Sequence, residues 1–298
     1  MKRPGSRISP ATVFFLLLSL ALGIALYVKT RPSAPPLPAP LSPTPRPHLR
    51  PRPSPSLSAI SPTPRPSVSS SAVSTEPGLP QVAIVIDDLG NDAPAVERIA
   101  SWPYPVCGAV LPVLPGSGRA ARVLEQSGKQ VILHLPMEPR RYPQMQPGPG
   151  VVLRSHNEEQ ITQTLETDLD SVPGAVGVSN HMGSAATADP RVMRAVARVL
   201  ARRGLFFLDS RTTDASVARE AARKERVPAV SRRVFLDDVA TEQAVGKAVD
   251  ELIAHARAEG SAVALGHPYP ATLAVLEREL PRLAQRGVRL VPVGNLAK

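Results

Sequence analysis

From Pro80 onward the chain alternates between short apolar runs and longer amphipathic stretches. The apolar runs predict strands at Val82–Ile86, Val106–Val110, Gln130–Leu133, Ala175–Val178, Leu205–Leu208, Val234–Leu236, Ala262–Leu265 and Arg289–Val291. The first of these is continuous and rich in β-branched residues, the pattern of a strand buried on both faces. Between the runs, helical spacing marks Ala93–Ala100, Gly118–Gln126, Glu158–Ser171, Pro190–Arg203, Asp214–Lys224, Thr241–Ala258 and Pro270–Arg286. Gly128, Gly204, Gly260 and Gly287 each stand where a helix should stop. Strand–helix alternation implies an α/β fold with a parallel sheet. Up to eight short strands in the 219 residues of 80–298 favour a closed or nearly closed barrel over a doubly wound sheet. No Gly-x-Gly-x-x-Gly follows the first strand, so nothing supports a dinucleotide site.

Ahead of residue 80 the pattern is different. Residues 1–10 are basic, with Lys2, Arg3 and Arg7, and residues 11–28 form an uncharged apolar run closed by Lys29 and Arg31. That run approaches the helix of about 20 residues that spans a bilayer. Positive charge before a first apolar segment favours an N-terminus kept in the cytoplasm. Ala21-Leu22-Gly23 is a poor cleavage signal, so an uncleaved signal anchor is expected over a cleaved signal peptide. Residues 29–79 repeat proline with serine, threonine and scattered arginine, the composition of a disordered, extended polyproline spacer. Pro-x-x-Pro spacing would also suit an SH3 ligand, but beyond an anchor a tether is the simpler reading.

The net charge of +10 belongs mostly to this leader: residues 1–79 hold nine Lys or Arg and one acid, which leaves only +2 for 80–298. A basic leader suits anionic lipid or an acidic envelope polymer, and the balanced domain gives no support for nucleic-acid binding. Cys107 is the one cysteine, so neither an intrachain disulfide nor a thiolate zinc site can form. Its apolar neighbours mark it as a core residue.

The chemistry lies at the ends of the predicted strands. Ile86 leads to Asp87 and Asp88, Leu133 to His134, and Val178 to Ser179, Asn180 and His181. Leu208 leads to Asp209, Ser210 and Arg211, Leu236 to Asp237 and Asp238, and Leu265 to Gly266 and His267. In a parallel barrel these ends converge on one mouth. Asn91 and Asp92 already supply a cap for the next helix, which leaves the two preceding acids for another role. Asp88, His134 and either His181 or Glu138 have the ligand types of a divalent, zinc-like site with an open position for water. His134 and Glu138, four apart in HLPMEP, would meet on one helical turn or tight loop; Glu138 could equally pair with Arg140 or Arg141.

VAIVIDDLGN, HLPMEP, SNHMGS, FLDSRTT and ALGHPYP, in this order, resemble the motifs of the divergent polysaccharide deacetylase family of bacterial envelope proteins. The resemblance covers essentially all of 80–298 and implies a distorted (β/α) barrel of seven to eight parallel strands. It implies that Asp87 is the general base, Asp88 a metal ligand, His134 a further ligand and His267 the general acid. Glu138 stands where the related active enzymes keep a second histidine, and their arginine-proline-tyrosine motif has no counterpart; SNHMGS occupies about that place. Asn180, Asp209, Arg211 and Asp237 are then expected to bind sugar at the mouth. The implied function is metal-dependent deacetylation of an N-acetyl sugar polymer, with zinc as the expected ion and an envelope glycan as partner. The folded domain would sit on the periplasmic side of the inner membrane, held by its N-terminal helix. A degenerate barrel that binds glycan or an envelope partner without turnover is the alternative. An aspartate-nucleophile phosphatase would need an Asp-x-Asp pair, which Asp87-Asp88-Leu89 does not supply.

Overall fold

The computed structural model describes residues 78–298. The expected anchor at 11–28, and all but the last two positions of the tether, lie outside the described residues. No helix among the described residues is long and apolar enough to cross a membrane. The strands are β1 (Gln81–Leu89), β2 (Cys107–Val110), β3 (Val131–Met137), β4 (Gly177–Met182), β5 (Phe206–Asp209), β6 (Ala229–Ser231), β7 (Val234–Phe235), β8 (Ser261–Gly266) and β9 (Arg289–Leu290). The helices are α1 (Ala93–Ala100), α2 (Ser117–Gln126), α3 (Glu158–Ser171), α4 (Pro190–Arg203), α5 (Ala218–Lys224), α6 (Glu242–Glu259) and α7 (Pro270–Glu279).

Hydrogen bonding orders the strands β6-β5-β4-β3-β2-β1-β8-β7, with β9 beside the start of β1, and the pairs are parallel. The two ends of this path, β6 and β7, are consecutive in sequence and separated only by Arg232 and Arg233. Three Cα–Cα steps reach at most about 11 Å. The sheet must therefore curl until its edges nearly meet, as a distorted β/α barrel left open along one seam. At that seam the free edge of β6 is met by the backbone of Lys298, which exchanges hydrogen bonds with Ala229.

Burial on both faces explains the continuous apolar run of β1. Val82, Ile84 and Ile86 pack outward against the helices, whereas Ala83 and Val85 join Cys107, Ala109, Ile132, Leu208, Val263 and Leu265 inside the barrel. Val291, Val293 and Leu296 add to this interior core from the C-terminal segment. Cys107 is fully buried there, and burial pushes its thiol far up from its ordinary range. An inert core cysteine results.

Several boundaries differ from the sequence expectation. Strand β6 was not anticipated: three residues behind Pro228 carry too little pattern to register. The expected helix Pro270–Arg286 stops at Glu279 and continues as a 3-10 turn over Leu280–Arg282, where Pro281 has no N–H to give. Helix α5 starts at Ala218, four residues late. Asp92 does cap α1, accepting from Ala95 N at 3.0 Å.

One buried acid stands apart from the mouth. Asp168 on α3 is 1% exposed, and neither of its oxygens has a hydrogen-bond partner. Gly150 packs directly on it; a Cβ there would lie 2.2 Å from Oδ1. Burial raises the Asp168 carboxyl to about 8. With its folded pKa above the unfolded value, this group's contribution to stability is fully present below about pH 4 and is lost as pH rises through about 8. Asp168→Asn should therefore flatten the pH dependence, with a melting-temperature gain that grows from pH 5 to pH 8. A gain that does not change over that range would show that the carboxyl is ionised at the lower pH too.

Candidate metal centre

The site is built on a row of inward-facing strand positions. Alternation carries the interior face from Ala83 and Val85 to Asp87 on β1, from Ile132 to His134 on β3, and from Val263 and Leu265 to His267 after β8. On β4 the register sets Ser179 beside His134 and His181 beside Pro136, again on the inner face. The apolar core thus ends upward in a ring of titratable groups.

Asp88 should by this alternation point outward into the helix layer. It does not, because the β1–β2 register shifts between Ile86 and Leu89 and Asp88 takes a left-handed backbone with φ 58°. A bulge re-aims a side chain in this way, and aspartate tolerates the left-handed region better than most residues. The following turn is fixed by contact of two glycines: a Cβ on Gly116 would lie 1.9 Å from the carbonyl oxygen of Gly90. Asp88, Met182 and Arg211, three of the five non-glycine residues with positive φ among the described residues, lie within or just beyond β1, β4 and β5, on the rim of the mouth. Strain concentrated on one rim is a mark of a functional surface.

Around Asp88 the distances are short. Its Oδ1 lies 2.9 Å from His181 Nδ1 and 3.3 Å from His134 Nε2, and its Oδ2 lies 3.6 Å from His267 Nε2. Asp87 Oδ2 is 3.8 Å from His134 Nε2. Oδ1 of Asp88 nevertheless has no aligned hydrogen bond, and neither has the buried Oδ1 of Asp87. One ligand atom from each of Asp88, His134 and His181 falls within 4.8 Å of the others. Ligands held at about 2.1 Å in a tetrahedron stand about 3.4 Å apart. Close approach without hydrogen-bond alignment, at that spacing, fits lone pairs converging on a shared cation. His134 is prepared for such a role, since Ser179 Oγ lies 2.7 Å from its Nδ1 and can accept that N–H, leaving Nε2 as the free donor atom.

The protonation states separate the two acids. Burial pushes Asp87 up, and the charge of His134 only partly opposes this. Asp88 is also penalised by burial, but the adjoining imidazoles of His134 and His181 win and hold it far below the carboxylate range. His134 and His267 are both raised: burial works against their charged forms, and the neighbouring carboxylates more than offset it. For His267 the leading opposing cause is Asp237, whose Oδ1 lies 3.0 Å from Nδ1 and whose Oδ2 accepts from the His267 backbone N–H at 2.6 Å.

The family profile of divergent polysaccharide deacetylases matches residues 84–297, the whole of the barrel that carries this cluster. The chain belongs to that family. It is 37% identical over 216 residues to an uncharacterized protein of Haemophilus influenzae, covering 72% of this chain and 76% of that one. It is also 37% identical over 199 residues to the uncharacterized Escherichia coli protein YibQ, covering 66% of this chain and 61% of that one. Among solved structures, an uncharacterized protein of Agrobacterium tumefaciens is similar at 25% identity and a TM-score of 0.70, over 73% of this chain and 89% of that one.

The expected site residues of this family member fall into two groups. Asp87, Asp88, His134, His181 and His267 come together at the mouth. Glu138 does not join them. The stretch expected to be a turn is strand through Met137, so His134 and Glu138 are separated by about 13 Å of extended chain. The Glu138 carboxylate instead accepts from Arg154 N at 2.6 Å. Three expected sugar-binding residues are buried under the rim. Asn180 faces away from His181 by alternation and holds Ser210 N and the Met182 carbonyl; Asp209 holds Arg211 N and Ser216 Oγ. Asp237 has no side-chain exposure and positions His267, with Thr272 Oγ1 donating to it at 2.7 Å. Arg211 alone of the four is exposed. Ser179, Thr272, Phe235 and Tyr269 were not anticipated; the two rings lie 5.3 and 5.2 Å from that of His267. Only Ser179 had a signal, two residues before His181 on one strand face.

Titration of the protein with a divalent ion, followed by calorimetry, tests the cluster. Ser179→Ala should weaken binding by about 10–100-fold, and His181→Ala by at least as much. Glu138→Gln should leave the affinity unchanged. Binding that survives His181→Ala and fails in Glu138→Gln would reverse the ligand assignment.

Proposed function

We propose that the barrel hydrolyses acetamido groups on an amino-sugar polymer of the cell envelope. The observation that carries this reading is the meeting of two unlike carboxylates and three imidazoles at the mouth of a divergent polysaccharide deacetylase barrel. Asp88, His134 and His181 would hold a divalent ion, with zinc the choice that suits one carboxylate and two imidazoles. When bound, such an ion polarises the amide carbonyl and acidifies water.

The remaining steps belong to the chain. Asp87, deep in the site with its Oδ1 free of any hydrogen bond, takes a proton from the attacking water as its oxygen bonds to the carbonyl carbon. Burial raises the basicity of this carboxylate, as the task requires. His267 has its Nδ1 against Asp237, which leaves Nε2 facing the site. With its pKa raised it carries a proton there, and it gives that proton to the sugar nitrogen as the C–N bond breaks. The products are acetate and a free amine. Phe235 and Tyr269 flank the His267 ring and would shield the proton transfer from bulk water.

Placement outside the inner membrane rests on the sequence of residues 1–79, where a basic start, an apolar run and a proline-rich tether follow one another. In that setting the tether would let the barrel reach glycan at a distance from the bilayer.

Asp87→Asn should lower turnover of acetylated amino-sugar polymer by about 10²–10⁴-fold, the usual contribution of a general base. Affinity for the divalent ion should stay as in the parent chain, since Asp87 is not among the proposed ligands. Undiminished acetate release by this variant would sink the mechanism, and absence of release from the parent chain on every acetylated polymer would leave a binding role.

A further inference from the structure

The open seam of the barrel carries a surplus of cations on a nearly neutral domain. Two adjoining grooves of about 640 and 660 Å³ run along β6 and share Arg219, Ala229 and Lys298 in their walls. Three acids line them, and each already has a cationic partner: Asp214 with Arg211, Glu220 with Lys224 and Glu259 with Arg233. Arg219, Arg223, Arg226 and Arg232 also line them, and no side-chain carboxylate lies within 4.0 Å of any of these four among the described residues. A concave wall with cations in such excess focuses field on an incoming anion.

The first groove also connects with the mouth. Arg232 bonds to the carbonyl oxygens of Ser210 and Arg211 on the rim, at 2.7 and 3.0 Å. Its guanidinium lies 5.0 Å from the centroid of Phe235, whose ring is in turn 5.3 Å from that of His267. A polymer lying along the seam would bring its next unit to the proposed acid.

We propose that the seam binds the acidic units of an anionic glycan, so that the substrate is an acetylated amino-sugar polymer bearing carboxylates and not a neutral one. This deepens the deacetylation reading and rests on it for the amino-sugar part of the ligand. The charge of the grooves and the approach of the first to His267 argue for carboxylate groups along the polymer that carries the reacting acetamide.

Binding to the full chain can be read by calorimetry with two probes. One is a tetrasaccharide of alternating N-acetylglucosamine and N-acetylmuramic acid, which carries carboxylates; the other is neutral chitotetraose. The acidic probe should bind more tightly, with a preference that shrinks as salt is added. Replacing Arg219, Arg223 and Arg226 together by alanine should reduce the affinity for the acidic probe on the order of tenfold, as exposed arginine–carboxylate pairs would. Affinity for chitotetraose should not change. The basic residues before 80 are common to every variant, so the difference reads the grooves. Equal affinity of the parent chain for both probes, or an acidic preference intact in the triple variant, would overturn the proposal. Asp88→Asn, run in parallel, should keep the preference while losing turnover. Hydrolysis absent in the parent chain with the preference present would count against the deacetylation mechanism and leave the groove standing.

Discussion

Two neighbouring carboxylates can serve one pocket only if their strand breaks its own alternation. Consecutive residues of an extended chain face opposite ways, so a regular β1 would send Asp87 into the barrel and Asp88 into the helix layer. The register shift before Leu89 and the left-handed Asp88 prevent this. A residue held in that region costs about 1–3 kcal/mol, and the backbone contact of Gly90 with Gly116 helps to keep it there. In return the two acids differ: one is nearly sealed in the interior row, the other is a third exposed and drawn down by imidazoles. Burying both charges without partners would cost several kcal/mol each. The three histidines on neighbouring strands are therefore a condition of the fold at this point as well as candidates for its chemistry.

That ring depends in turn on the curl of the sheet. Asp87, His134, His181 and His267 come from four separate segments, and a flat sheet would spread them along a line. The two-residue link from β6 to β7 forces the edges together and turns the line into an arc around one space. Small residues, Ala83 and Ala109 among them, fit the narrow interior of this barrel. The curl leaves its seam incompletely paired, and several cations without a carboxylate partner line that opening.

Much of this was legible in the sequence because alternation and punctuation are local signals. The run Val82–Ile86 and the helix-stopping glycines Gly204 and Gly260 read correctly at short range, whereas the helix expected to stop at Gly287 ends at Glu279. Asp92 as the cap of α1 was equally plain, and it freed Asp87 and Asp88 for the mouth. What could not be read depended on where a strand ends. His134 and Glu138 looked like neighbours on a turn, and two more residues of extended chain than a turn allows separate them. Asp209 and Asp237 looked like rim residues since charge usually marks a surface, yet each is buried with its oxygens engaged. Thr272 reaches Asp237 from 35 positions away, a contact that only the packing of α7 creates.

Glu138 shows what the departure from the related enzymes' His-x-x-x-His pattern has become. Its backbone N–H meets the Val152 carbonyl, its own carbonyl accepts from Ala185 and Ala186, and its carboxylate takes the Arg154 N–H. One residue thus ties the end of β3 to the segment ahead of α3 and to the turn after β4. A histidine there could repeat the backbone bonds, but not the carboxylate's charge-assisted bond to Arg154. The three ligand candidates that remain come from β1, β3 and β4, and their spacing is set by strand register. Sites carried on regular elements hold their geometry better than sites carried on loops. Glu138 braces the rim, and the strands beneath it carry the proposed ligands.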